Sequence, residues 1–181
     1  MSASGEVANV LVGMTLAALA WAGGDGSKAS EAAAAGKTES VKPASQIDVC
    51  ALLTPGEIAA VTGSKVGEIK PDAHGAVGTC NYQAGEQLFP VVSLVLAPSM
   101  PKVSSSAEMA AWRSKQGTSF GDVKITIAPI EGLGVPAIRN EVEGTGLVTV
   151  EAAAKGMLLD VTTSSLEKSK ALALKAIARI P

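Results

Sequence analysis

Two stretches around the cysteines decide how this chain folds: Asp48–Glu57, with the sequence DVCALLTPGE, and Gly78–Tyr82, with the sequence GTCNY. The first predicts the start of a helix. Thr54 can accept a hydrogen bond from a free backbone N–H, Glu57 can reach back to the cap, and Pro55 has no N–H to satisfy. The second stretch is extended. A covalent bond between the two stretches would therefore fix a short helix to a strand.

The residues before the first stretch indicate an export signal. Residues 7–22 are almost wholly apolar and end in an A-x-A cleavage pattern, and the run is shorter than the roughly 20 residues of a membrane-spanning helix. The preceding residues contain Glu6 and no Lys or Arg, which departs from the usual pattern. We predict a signal peptide over residues 1–22; the alternative is a buried amphipathic helix.

Residues 23–46 have the composition of a tether. They are mainly Gly, Ala, Ser, Lys and Glu and show no apolar period, so they offer no face on which a core could form. Gly23 and Gly24 occupy the place where exported lipoproteins carry a lipid-bearing Cys. The sequence therefore predicts no lipid attachment, and it leaves membrane association to the N-terminal segment alone.

Composition indicates that the rest of the chain forms one folded domain, which we place at residues 47–181. The 181 residues are 47% apolar and 18% charged, which suits a packed core. The net charge of −2 gives no electrostatic footprint for nucleic acid. Aromatic residues make up only 3%, which is too few for base-stacking or sugar-binding platforms.

Three short helices are predicted. The first follows the Thr54 cap and ends at Gly63. The same start signal recurs at Ser105–Glu108 and at Ser164–Glu167. In the last helix, the residues predicted on the buried side are Leu166, Leu174, Ile177 and Ile180.

Apolar runs and alternating patterns between the helices predict strands. They lie at Val91–Ala97, Val123–Ile127, Ala137–Val142, Leu147–Ala152 and Met157–Thr163. Because short loops join them, we expect an antiparallel sheet of six or seven strands, with about three short helices on one face or at its ends. The fold class is α+β.

Cys50 and Cys80 are the only cysteines, and their spacing is not that of a C-x-x-C redox motif. In an exported chain, an even count of two predicts a disulfide. The alternative is two unrelated buried thiols. A closed loop of this length would stabilise the fold by roughly 3–4 kcal/mol on the chain-entropy model.

The pattern resembles a family of small exported bacterial proteins, often lipoproteins, that are widespread in actinobacteria and known only as a domain of unknown function. The matching features, over about Asp48–Ile180, are Cys50-x-Leu-Leu-Thr-x-x-Glu, Gly63, Cys80-x-Tyr82, Gly132-Leu133-Gly134-x-x-Ala137, a late hairpin and a C-terminal helix. The resemblance implies an α+β fold and no established reaction. The missing lipid-bearing Cys is a departure from the family.

No motif predicts catalysis, a cofactor or a metal. His74 is the only His, and it lies in a turn-like segment at 71–75 with Asp72 and, nearby, Glu68; a metal site there is conceivable, but solvated loop residues are the more common case. Glu141 and Glu143 could act as an acid–base pair, although a solvated strand edge explains them better. The sequence therefore favours a protein that is not an enzyme.

By exclusion, the sequence favours an exported envelope protein, periplasmic, at the cell surface or secreted, that acts as a binding module. The partner would be an unknown envelope protein or a small ligand. A carrier of a small apolar or lipid ligand and a hydrolase with an unrecognised site are the alternatives. We expect binding at Arg139, Glu141 and Glu143 on a solvated strand face, with Trp112 and Phe120 as anchors if they are exposed. The alternative for these two aromatic residues is a place in the core.

Overall fold

A computed structural model describes residues 46–85, 89–98, 102–117, 119–120 and 123–181 of the chain. The predicted signal peptide lies outside these residues, as does the predicted tether except for Gln46. The described residues include the predicted disulfide and the predicted strands and helices.

An antiparallel sheet organises the described residues. Its strands are β1 Glu68–His74, β2 Val77–Gln83, β3 Val92–Pro98, β4 Ser119–Phe120, β5 Val123–Ile130, β6 Ala137–Val142, β7 Val148–Ala154 and β8 Met157–Thr163. Their order across the sheet is β1-β2-β3-β8-β7-β6-β5-β4. Two meanders, one of β1 to β3 and one of β5 to β8, therefore meet where β3 pairs with β8. Seven strands have six or more residues, which confirms the predicted sheet.

Three α-helices and one 3₁₀ turn complete the α+β fold. They are the 3₁₀ turn Val49–Leu52, α1 Pro55–Thr62, α2 Ser106–Lys115 and α3 Leu166–Arg179. The capping box of α1 forms as predicted between Thr54 and Glu57, and α1 ends at Gly63 in the left-handed conformation (φ 77°). The α3 cap is Ser165, one residue later than the sequence pattern indicates.

The sheet buries residues on both of its faces. On the core face, side chains such as Cys80, Leu94, Val150 and Leu159 pack against the 3₁₀ turn, α1 and α3. On the opposite face, here called the α2 face, Ile138 is fully buried. Helix α2 packs on β5 and β6 there. The helices thus lie on both faces of the sheet, contrary to the predicted arrangement on one face or at the ends.

Ser106, Met109 and Arg113 attach α2 to the α2 face. The Ser106 hydroxyl donates to the carbonyl of Ile130 at 3.0 Å and accepts from the backbone N–H of Ala137 at 3.1 Å. Met109 is fully buried. The three residues stand at i, i+3 and i+7, which is one face of a helix. Their spacing explains why this side of α2 packs on the sheet.

Two local predictions are wrong. Leu174 is 44% exposed, because the buried face of α3 runs instead through Ser169, Leu172, Ala173 and Ala176. The segment at 71–75 is not a loop: residues 71–74 complete β1, and only Gly75 belongs to the turn that leads to β2. Alternation of Pro71 and Ala73 with polar residues is strand periodicity, which the turn-forming residue types obscured.

Candidate functional site

The disulfide between Cys50 and Cys80 joins the 3₁₀ turn to β2, with a Cα–Cα distance of 5.2 Å. Tyr82, on the same strand face, is fully buried, and its hydroxyl lies 3.0 Å from the carbonyl oxygen of Cys50 and 3.2 Å from that of Leu53. Burial raises the pKa of Tyr82 to about 12. The disulfide and Tyr82 therefore hold the same turn against the sheet, and we call this region the disulfide corner.

An ion pair connects the disulfide corner to the end of the chain. The Arg179 guanidinium donates to both carboxylate oxygens of Glu57, at 2.7 and 2.8 Å, and to the carbonyl of Leu52 at 2.9 Å. Hydrogen bonds from Arg179 and from the Thr54 backbone lower the pKa of Glu57 to about 2. The contacts join α1, the 3₁₀ turn and α3.

A shallow cleft opens beside the disulfide. Its apolar wall is formed by Ile47, Val49, Pro71 and Ala73, and its volume is about 230 Å³. The cleft is open to solvent, because β1 is an edge strand and all its residues are exposed.

Arg139 and Glu141 lie where the binding surface was predicted. Both are on the core face of β6, next to the region that α3 covers, and their side chains are 37% and 49% exposed. The Arg139 Nη1 and Glu141 Oε2 atoms are 3.9 Å apart. Glu143 is exposed in the turn that follows β6. We call these three polar residues the β6 surface.

The two aromatic residues of the predicted surface lie elsewhere. Trp112 is half-buried on α2, on the opposite side of the sheet from Arg139 and Glu141. Phe120 is in β4, at the sheet edge. Trp112 therefore does not share a face of the sheet with Arg139 and Glu141, and the role of all five residues in binding stays a prediction.

The conceivable metal ligands on β1 are spread along an exposed strand. His74 Nε2 is 2.9 Å from Asp72 Oδ2, whereas Glu68 pairs with Lys70 at 3.2 Å. Within the described ranges, no group of three or more His, Cys, Asp or Glu residues is placed to hold a metal ion.

A buried polar cluster that we did not predict from the sequence lies between α2 and the sheet. Arg113 Nε donates to Glu151 Oε1 at 3.0 Å, and the Asn140 amide donates to the same oxygen. Glu151 is only 3% exposed and Asn140 6%. Asp160 is directly opposite Glu151 in the pairing of β7 with β8. We call these four residues the α2 junction.

Three enclosed oxygens of the α2 junction have no hydrogen-bond partner: Asn140 Oδ1, Glu151 Oε2 and Asp160 Oδ1. Burial raises the pKa of Glu151, and the facing Arg113 opposes that shift. Burial, together with the charge of Glu151, raises the pKa of Asp160 well above its ordinary value. Perturbed carboxyl groups of this kind are common at functional sites, but they also occur in structural clusters.

The sequence did contain a signal for the acidic pair. Glu151 and Asp160 each interrupt an apolar strand, and the Lys155-Gly156 turn between the strands fixes the register that places them opposite each other. Arg113 and Asn140 had no comparable signal, because their approach depends on where α2 packs.

No family model matches this chain, and no curated protein matches it significantly. None of the described helices is both long and apolar enough to cross a membrane.

Proposed function

We propose that this protein is exported and acts in the bacterial cell envelope as a non-catalytic binding module. The disulfide supports the oxidising compartment, since such bonds persist outside the reducing cytosol. The apolar segment at residues 7–22 supports export, and the resemblance to small exported domains agrees with it. A periplasmic, cell-surface or secreted location satisfies all three.

The observation that carries the binding part of the proposal is the β6 surface. Helix α3 packs on β7 and β8 and leaves this end of the core face open, so that Thr126 on β5 is exposed beside Glu141. Arg139 stands at the inner edge of this region, next to buried Val150. An Arg that is partly ordered by its surroundings is a common binding hot spot.

The cleft beside the disulfide supports the carrier alternative less than the β6 surface supports a binding module. Ligand pockets usually enclose about 300–1,000 Å³ and bury most of the ligand. This cleft holds about 230 Å³ and is open to solvent. The hydrolase alternative requires reactive side chains in a cleft, and the α2 junction lies under a helix instead.

Export and binding require separate tests. Fractionation of the native host, with a cytosolic marker as control, should place the full chain outside the cytosol. Crosslinking in the envelope should then give a defined protein partner whose yield falls at least tenfold in an Arg139→Glu/Glu141→Lys variant. The matched control is Lys65→Glu/Glu131→Lys, which reverses one exposed charge of each sign away from the β6 surface. Both variants should melt like the wild type.

A cytosolic location would overturn the export proposal. Crosslinking that the β6 variant leaves unchanged would remove the β6 surface from the binding proposal. Turnover of generic ester, phosphate, glycoside or peptide substrates would show that the protein is an enzyme, provided that one polar substitution abolishes it.

A further inference from the structure

Glu151 and Asp160 face each other at the closest type of position that two strands offer. The turn between β7 and β8 has two residues, Lys155 and Gly156, both with positive φ (50° and 77°). Such a hairpin begins with a hydrogen-bonded pair, and pair types then alternate along the ladder. Counting outward from that first pair makes Glu151 and Asp160 a non-hydrogen-bonded pair, whose Cα atoms are typically about 4.5 Å apart.

The hydrogen bonds of Glu151 leave one of its oxygens open. Arg113 and Asn140 both donate to Oε1, so Oε2 is left without a donor. Asp160 Oδ1 is likewise enclosed and without a donor, although the residue as a whole keeps some exposed surface. Enclosed acceptors without donors are destabilising, because they lose their hydrogen bonds to water and gain none in return. A single proton between these two oxygens would give each of them a hydrogen-bond partner.

We propose that Glu151 and Asp160 bind one proton between them and that this proton completes the attachment of α2 to the sheet. The proton resides on Asp160, whose Oδ1–H donates to Glu151 Oε2. Glu151 remains the ionised partner, because Arg113 and Asn140 stabilise its charge. When the proton leaves for solvent, the acidic pair changes from one negative charge to two.

Charge balance favours a proton over a metal ion. Arg113 supplies one positive charge, and a protonated pair supplies one negative charge, so the α2 junction is neutral with the proton bound. A divalent cation at the same place would lie close to the Arg113 guanidinium and leave a net positive charge in a buried site, which is unfavourable. Asn140 Oδ1 could coordinate a cation as readily as accept a hydrogen bond, so it does not decide between them.

Among the described residues around the acidic pair, Arg113 is the one charged group that faces it. The neighbours on the α2 face are uncharged: Val95 on β3, Ile138 and Asn140 on β6, Thr149 and Ala153 on β7, and Leu158 and Thr162 on β8. Met109 faces the sheet from α2. A change of pH near neutrality therefore acts on this face through the acidic pair itself.

The sign of the pH effect follows from the raised pKa of Asp160. The folded protein holds this proton more tightly than the unfolded chain, so the contribution to stability is complete below the ordinary pKa of 3.8 and declines as pH rises toward the folded value. Loss of the proton adds a buried negative charge beneath α2. We therefore expect α2 to be the first element released at high pH.

The test compares the full wild-type chain with Asp160→Asn, which places an N–H donor and no charge opposite Glu151. The variant should melt several degrees above the wild type near pH 8, and the difference should shrink toward pH 4. Glu131→Gln, at an exposed carboxylate, is the control and should leave the pH profile unchanged. A variant that melts below the wild type throughout this range would overturn the proposal.

Two measurements do not depend on how Asp160→Asn folds. In a Trp21→Phe background, Trp112 is the only Trp and lies on α2, so its fluorescence should change with pH before global unfolding. Carbon-13 NMR of the wild type should show one protonated side-chain carboxyl at neutral pH. Two ionised carboxylates, or a rise in melting temperature with added Ca²⁺ or Mg²⁺, would overturn the proton assignment.

Discussion

The disulfide corner and the α2 junction both attach a helical segment to the sheet, but they treat their polar groups differently. At the corner, the Tyr82 hydroxyl, the Glu57 carboxylate and the Arg179 guanidinium all have partners at normal hydrogen-bond distances. At the junction, Arg113 satisfies one oxygen of Glu151, while three other enclosed oxygens have no partner.

This difference means that the corner should be insensitive to pH, whereas the junction can respond to it. A covalent bond and fully paired groups hold the corner over the ordinary pH range, provided that the disulfide is oxidised. The junction depends on the ionisation of a buried acidic pair, whose charge must be balanced by Arg113 and, in our proposal, a proton. Four predictions test this contrast, in order of decreasing expected effect.

Reduction of the disulfide should produce the largest effect. Opening a loop of 30 residues should cost about 3–4 kcal/mol on the chain-entropy model. For a domain of this size, that corresponds to a fall of roughly 10 °C in melting temperature. Calorimetry with and without reductant measures it, and the Cys50→Ala/Cys80→Ala variant should not respond to reductant. A wild-type melt that reductant leaves unchanged would contradict the structural role of the disulfide.

Replacement of Arg113 should have the second-largest effect. Arg113→Leu removes the charged one of the two donors to a buried carboxylate, and we expect a loss of about 1–3 kcal/mol at neutral pH. Because removing both partners of a buried pair is often neutral, Arg113→Leu/Glu151→Leu should recover most of the loss. Denaturant unfolding provides the measurement. Arg139→Leu, at an Arg with a single distant ion pair, is the control and should change stability by about 0.5 kcal/mol or less.

These two regions also differ in how far the sequence could predict them. At the corner, the cap of α1 is encoded within four residues, and the two cysteines could pair only with each other. The register of β7 with β8 was likewise available from the Lys155-Gly156 turn. The α2 junction could not be derived, because Arg113 reaches Glu151 across 38 positions of sequence and only after α2 packs on the second face.

The same reason explains why Trp112 and Arg139 lie on opposite sides of the sheet. Trp112 and Arg139 were grouped by residue type, and nothing local indicated that α2 would cross to the other side of the sheet. The Arg139–Glu141 part was predictable, because strand alternation alone places those two side chains together. Local periodicity thus predicted which side chains share a face within one element. The packing of α2 depends instead on tertiary contacts.

A smaller effect is expected at the Tyr82 hydroxyl. Tyr82→Phe keeps the ring in the core and removes the donor shared by the carbonyls of Cys50 and Leu53, which should cost about 0.5–1.5 kcal/mol. The loss should be similar in the oxidised protein and in the Cys50→Ala/Cys80→Ala background if Tyr82 holds the turn independently of the disulfide. Urea unfolding of the four proteins provides the cycle. If the loss occurred only in the two proteins that contain the disulfide, the Tyr82 hydroxyl and the disulfide would act as one unit.

The smallest effect, and the clearest contrast with the junction, should come from Glu57. Its pKa is lowered to about 2, so its stabilising contribution is present above the ordinary value of 4.5 and is lost as pH falls toward 2. Glu57→Gln should therefore cost up to about 1 kcal/mol at neutral pH, as an ion pair near the surface does, and progressively less as pH falls through about 2. Asp160→Asn should show the opposite trend, with its effect growing as pH rises. Melting curves of both variants across the acid and neutral range compare the two regions directly. Parallel trends in the two variants would mean that the corner and the junction do not differ in how protons act on them.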